Sequence, residues 1–171
     1  MIQLTTPLKK EDIESLRVGD VISISGYIYT GRDAVLPKIV RHADEGTLEE
    51  INVDLEGQVI FHTAVSVAGV GPTSSNKLEI EESFEPLSRH GVRLFLGKGA
   101  IGEATVQSLD KNGAVFAVIP PVTALLGSKT SDIETVCFPE LGMEALHRIK
   151  VDNYQAIIAA AHGESIYGQD S

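Results

Sequence analysis

The sequence predicts a mixed α/β fold. Three observations carry that prediction. Apolar, β-branched runs alternate with segments of helical periodicity along the middle of the chain. The spacing between those runs suits right-handed crossovers between parallel strands, and the two ends read instead as antiparallel β structure. The 171 residues, 43% hydrophobic and 22% charged, suit one domain over residues 1–171 that buries its own core. Five Phe, four Tyr and no Trp leave that core to Val, Ile, Leu and Ala.

Residues 11–16 predict a short helix, and Gly19-Asp20 turns the chain into a strand over 21–29, where β-branched or aromatic residues alternate with small polar ones. A helix is expected over 32–43, interrupted by Pro37, and a second strand over 58–65. The apolar spacing of Leu78, Ile80, Phe84 and Leu87 predicts a helix over 78–90 that stops at Gly91. A strand over 92–96 leads into Gly97-Lys98-Gly99, and a helix over 103–109 closes at Lys111-Asn112-Gly113. The apolar run 114–119 is a strand halted by Pro120-Pro121, and 133–138, 148–151 and 156–161 are later strands.

Charge narrows the function classes. The net charge of −10 is spread along the chain, which argues against non-specific nucleic-acid binding and against docking on anionic lipid. A small anionic substrate stays open, because a few convergent cations set the potential of a cleft. The first residues lack a basic stretch followed by an apolar one, and no apolar run reaches the length of a membrane span. A soluble cytoplasmic protein is the simple expectation. One cysteine, Cys137, forms neither an intrachain disulfide nor a thiolate cluster alone, and its apolar strand reads it as an inert small hydrophobe.

Three glycine-flanked loops each follow a strand and each hold a cation: Thr30-Gly31-Arg32-Asp33, Gly71-Pro72-Thr73-Ser74-Ser75-Asn76-Lys77 and Gly97-Lys98-Gly99. Loops at the carboxyl ends of strands in open α/β sheets are where ligands bind, and Lys and Arg neutralise carboxylates. The set suits a small dianion; the plainer reading is a group of solvated surface cations. Nucleotide readings fail on spacing, since Gly97-Lys98 has no phosphate-loop pattern and Ser74 stands where a dinucleotide fingerprint has its third glycine. The hydroxyls of Thr73, Ser74 and Ser75 offer a proton-transfer group or, as the commoner use, a helix cap. The five histidines lack ligand spacing, and His62 reads as a hydrogen-bonded structural residue.

At these loops the sequence resembles the C-terminal domain of class I fumarases and the β subunit of two-subunit fumarase and L-tartrate dehydratase. The resemblance runs from Arg17-Val18-Gly19-Asp20 to Ala161. It rests on Tyr29-Thr30-Gly31-Arg32-Asp33-Ala34, Gly71-Pro72-Thr73-Ser74, Gly97-Lys98-Gly99 and, most specific, Phe138-Pro139-Glu140-Leu141-Gly142-Met143-Glu144-Ala145, in that order. It implies a three-layer β/β/α swivelling domain with a mixed sheet, closing over a site shared with an α subunit. That subunit's three cysteines would hold a four-iron, four-sulfur cluster whose open iron serves as Lewis acid. Arg32, Lys77 and Lys98 fall on the family's carboxylate-binding cations, and Thr73 on the threonine that takes the substrate's proton, assisted by an acid of the partner. The pattern departs at Lys77-Leu78, where the family has Arg-Met, and at Val35-Leu36-Pro37-Lys38, where it has Ala-His-Lys. The expectation is a β subunit, inactive alone, in a hetero-oligomeric hydro-lyase that hydrates fumarate to (S)-malate. A homodimer is open to the isolated chain. The alternatives are dehydration of L-tartrate or another 2-hydroxy diacid, and a non-catalytic paralogue that binds a partner.

Overall fold

A computed structural model of the chain describes residues 1–66, 69–73, 77–97, 101–119 and 130–166. Strand β1 (Ile2–Thr5), helix α1 (Lys10–Glu14) and strand β2 (Val21–Thr30) open the chain. Helix α2 (Leu36–Glu45), strand β3 (Val59–Phe61), the hairpin strands β4 (Thr63–Ser66) and β5 (Gly69–Thr73), and helix α3 (Lys77–Arg89) follow. Strand β6 (Leu94–Gly97), helix α4 (Glu103–Lys111) and strand β7 (Val115–Val118) complete the middle. Strands β8 (Thr130–Cys137), β9 (Leu146–Ala161) and β10 (Glu164–Ser165) form the end.

Strands β1, β2, β3, β6 and β7 are neighbours in a mixed sheet, each parallel to the next, with α2, α3 and α4 in the connections. The sixteen-residue β9 runs antiparallel to both β7 and β2, so the path β2-β3-β6-β7-β9 returns to β2 and closes the sheet on itself. Closure creates an inside and an outside. Ile22, Ile24, Ile28, Phe61, Leu96 and Tyr154 fill the inside with their neighbours on β7 and β9. On the outside, Ile60, Phe95 and Phe116 meet Leu36 and Ile39 of α2, Phe84 and Leu87 of α3, and Val106 and Leu109 of α4. Phe84 stacks on Phe95 with ring centroids 4.3 Å apart. Both faces of β3, β6 and β7 are covered, which is why these strands read as unbroken apolar runs rather than alternating ones.

The structure departs from the expected elements in several places. Pro37 does not interrupt a helix; it stands in the first turn of α2, where a missing N–H costs little. The strand expected over 58–65 divides at His62, whose amide still donates to the Leu96 carbonyl (3.0 Å) before the chain leaves to pair with β5. The two strands expected over 148–151 and 156–161 are one, β9. Its polar middle reads like a turn, but Asp152 and Asn153 form a bulge opposite Ser25, with the Asn153 amide donating to Ser25 Oγ (3.0 Å). Strand β1 lies outside the expected elements, and it pairs parallel to β2, where the start of the chain reads as antiparallel β. No described helix is long and apolar enough to cross a membrane.

Candidate functional site

Because β2 and β3 are parallel neighbours, their carboxyl ends open on the same edge of the sheet. Thr30 ends β2, wholly buried between Phe61 of β3 and His147 of β9. Gly31 extends the pairing by one amide, donating to the Phe61 carbonyl (3.1 Å). A side chain has no room there, since a Cβ would lie 2.8 Å from Val35 Cγ1 and 3.0 Å from Leu36 Cδ2. The Arg32 carbonyl then accepts from the amides of Val35 (3.1 Å) and Leu36 (3.0 Å), which fixes the turn into α2 and the place where the Arg32 side chain starts. That side chain is half-buried, and its Nε has no hydrogen-bond partner among the described residues.

His62 holds the equivalent place after β3 and is almost wholly buried. Its Nε2 lies 3.0 Å from Oδ1 of Asp33, a carboxylate one-quarter exposed. Burial pushes the ring's pKa down from 6.5 to about 4, helped by the positive charge of Arg32 and opposed by a hydrogen bond with its own backbone and by the charge of Glu144. The Asp33 carboxylate alone would favour a charged ring; burial and Arg32 prevail. At pH 7 the imidazole is therefore neutral. A carboxylate only accepts, so Nε2 carries the hydrogen and Nδ1 is left as an acceptor. Nδ1 is buried without a partner among the described residues.

Thr30 Oγ1, Arg32 Nε and His62 Nδ1 are the buried side-chain polar atoms without a partner among the described residues, and all three lie at this edge. Buried polar groups are nearly always paired, because each orphan forfeits on the order of 1–3 kcal/mol of solvation. Three orphans in one place make this edge the candidate site for a polar ligand. The fourth sequence motif reaches the same place. Residues Pro139–Glu144 form a 3-10 turn, Lys38 of α2 lies over the preceding Phe138 ring (5.6 Å to the centroid), and the Glu144 charge is felt at His62.

Of the residues expected to form the site, Arg32 is placed in full. The backbone of Thr73, last in β5, lies opposite that of Thr63, the residue after His62. Lys77 is the first residue of α3, which runs back toward the start of β6, so its backbone belongs to the same edge. The side chains of Thr73 and Lys77, and the whole of Lys98, lie outside the described residues. The Asp33–His62 pair was not anticipated as part of a site. Its signal is positional: Asp33 follows Arg32 directly, and His62 follows β3 as the Arg32 loop follows β2.

The residues present do not fit an iron–sulfur cluster. The single cysteine, Cys137, is buried, and burial with the nearby Glu140 pushes its thiol up to about 11, away from the thiolate a cluster needs. Among the described residues no group of three or more His, Cys, Asp and Glu is arranged to hold a metal ion. A cleft of about 380 Å³ opens at the opposite edge of the sheet, lined by Lys10, Arg93, Asp110 and His162 among others. Arg93 there is already engaged by Glu56 and the Asn112 carbonyl.

The L(+)-tartrate dehydratase subunit beta of Escherichia coli K12 is 33% identical over 98% of this chain and 87% of that subunit. A Methanocaldococcus jannaschii protein provisionally named for the same subunit is 31% identical over 94% of this chain and 88% of its own. A Geobacillus stearothermophilus protein provisionally named fumarate hydratase class I is 31% identical over 98% of this chain, which spans only 34% of that protein. Residues 1–170 match the model of the family described as Fumarase C-terminus. With nearly every residue inside that match, the chain belongs to the Fumarase C-terminus family.

Proposed function

We propose that this chain is the β subunit of an iron–sulfur hydro-lyase acting on four-carbon diacids, with the cluster held by an α subunit. The supporting observation is the set of three buried, unpartnered polar atoms at the carboxyl ends of β2 and β3, beside the family's motif loops. In this reading Arg32, Lys77 and Lys98 hold the two carboxylates, and the cations stabilise the charge that builds on one of them as the neighbouring carbon loses its proton. Thr73 takes that proton, assisted by an acid of the partner. The domain is a β/β/α module over residues 1–171 that swivels to close the site against the α subunit and exclude water.

Hydration of fumarate to (S)-malate is the first reaction to test. Dehydration of L-tartrate is the second reading, favoured by relatives named for that subunit. The test is anaerobic co-expression with the cluster-bearing partner, followed by assays on both diacids. The complex should turn over at least one of them, and the chain purified alone should be colourless and inactive. A complex that forms but turns over neither would make the chain a non-catalytic paralogue. Stoichiometric iron and sulfide in the single chain, with turnover, would defeat the shared-site account.

A further inference from the structure

We propose that His62 is a specificity-determining residue whose Nδ1 accepts a hydrogen bond from a hydroxyl that the substrate keeps through the reaction, beside the carboxylate held by Arg32. The inference deepens the hydro-lyase reading and rests on it. Its basis is the pairing of two orphans of opposite kind: among the described residues, Arg32 Nε is a donor without an acceptor, and His62 Nδ1 is an acceptor without a donor. A carboxylate satisfies the first and is repelled by the second. A hydroxyl satisfies the second. One ligand fragment offers both at adjacent carbons, the 2-hydroxy carboxylate.

The hydroxyl at His62 is not the one that leaves. Departure of hydroxide needs a proton or a positive charge on the oxygen, and an acceptor lone pair supplies neither. His62 cannot exchange that role for a donor's, because Asp33 holds the hydrogen on Nε2, and burial with the Arg32 charge keeps a second proton away. The ring is therefore suited to a spectator hydroxyl on the carbon that loses its proton. L-Tartrate has such a hydroxyl: one of its two leaves as water with the proton of the adjacent carbon, and the other stays. (S)-Malate has only the leaving one. A site that offers a buried acceptor rejects the analogue that lacks the hydroxyl, because the acceptor is then left unpaired.

The test compares kcat/KM for L-tartrate and (S)-malate in the assembled complex, for wild type, His62→Gln and His62→Asn. Glutamine reaches Asp33 with its amide but has no acceptor at the Nδ1 position; asparagine places its carbonyl oxygen there. The tartrate-to-malate ratio should fall about tenfold in His62→Gln, the value of one neutral hydrogen bond, and be largely retained in His62→Asn. The ratio is internal to each sample, so a partly folded variant still reports. Equal losses on both diacids would overturn the assignment and leave His62 a structural residue. If the wild-type complex turns over neither diacid, the hydro-lyase reading fails and the assignment with it. A second readout separates the two. In the full chain at pH 7, nitrogen NMR should show His62 protonated on Nε2 only. A cationic ring, or a proton on Nδ1, would overturn the assignment and leave the hydro-lyase reading intact.

Discussion

Acidification should destabilise this fold through His62 before most carboxylates titrate. In the unfolded chain the ring binds a proton near pH 6.5; in the folded chain burial and Arg32 hold that event down to about pH 4. Between those values the unfolded state binds more protons, so stability is full above 6.5 and falls as pH drops through the window. The loss from this one group is about 2 kcal/mol at pH 5 and on the order of 3 kcal/mol by pH 4. His147 is also held below its ordinary value by burial and contributes in the same direction, so the total slope is not assignable to His62 alone. Urea denaturation of wild type and His62→Gln at pH 7, 6 and 5 isolates it. Wild type should lose about 2 kcal/mol more than the variant between pH 7 and pH 5. Parallel curves would refute the buried neutral ring. A wild type that gains on the variant in acid would mean that Asp33 dominates and the pair is ionic.

Three further substitutions test other links. Thr73→Val in the assembled complex should lower kcat by about 10²–10⁴-fold with little change in KM, the range for a lost general base. If the hydroxyl makes only a local structural hydrogen bond, the variant should instead lose about 1 kcal/mol of stability and turn over normally per folded molecule. Lys77→Arg keeps the charge and changes the hydrogen-bond geometry, so KM for the diacid should move by up to about tenfold with turnover retained; unchanged kinetics on both diacids would place Lys77 away from substrate. Gly57→Ala tests the packing of the chain's start. Gly57 has a φ of +74°, and a Cβ would lie 2.6 Å from the Leu8 carbonyl oxygen, so the variant should lose about 2–4 kcal/mol in equilibrium unfolding.

The middle of the fold was legible because its strands are covered on both faces and its helices are amphipathic, so apolar runs and the spacing of Phe84 and Leu87 report burial directly. The closing strand was not. Residues 152–155 carry Asp, Asn and Gln because they lie at a bulge and on the outer face of β9, and that polarity imitates a turn. Strand β1 was invisible for a related reason: Ile2–Thr5 is short, half exposed, and held by its pairing with β2 rather than by any propensity of its own. At the site, glycine-flanked loops after strands pointed to Arg32, Thr73, Lys77 and Lys98 without stating which would converge. The Asp33–His62 pair depends on two strands being parallel neighbours, a relation between residues 29 apart that no local pattern encodes.

The central claim is that this chain completes an active site begun on another polypeptide. It is tested most directly by adding the purified chain in steps to an anaerobically prepared, cluster-bearing partner and measuring the initial rate of diacid turnover at each ratio. The account predicts no turnover from either component alone, a rate that rises in proportion to added chain, and a plateau at a fixed stoichiometry. A partner that reaches its full rate without this chain, or a mixture that associates and stays inactive on both fumarate and L-tartrate, would contradict it.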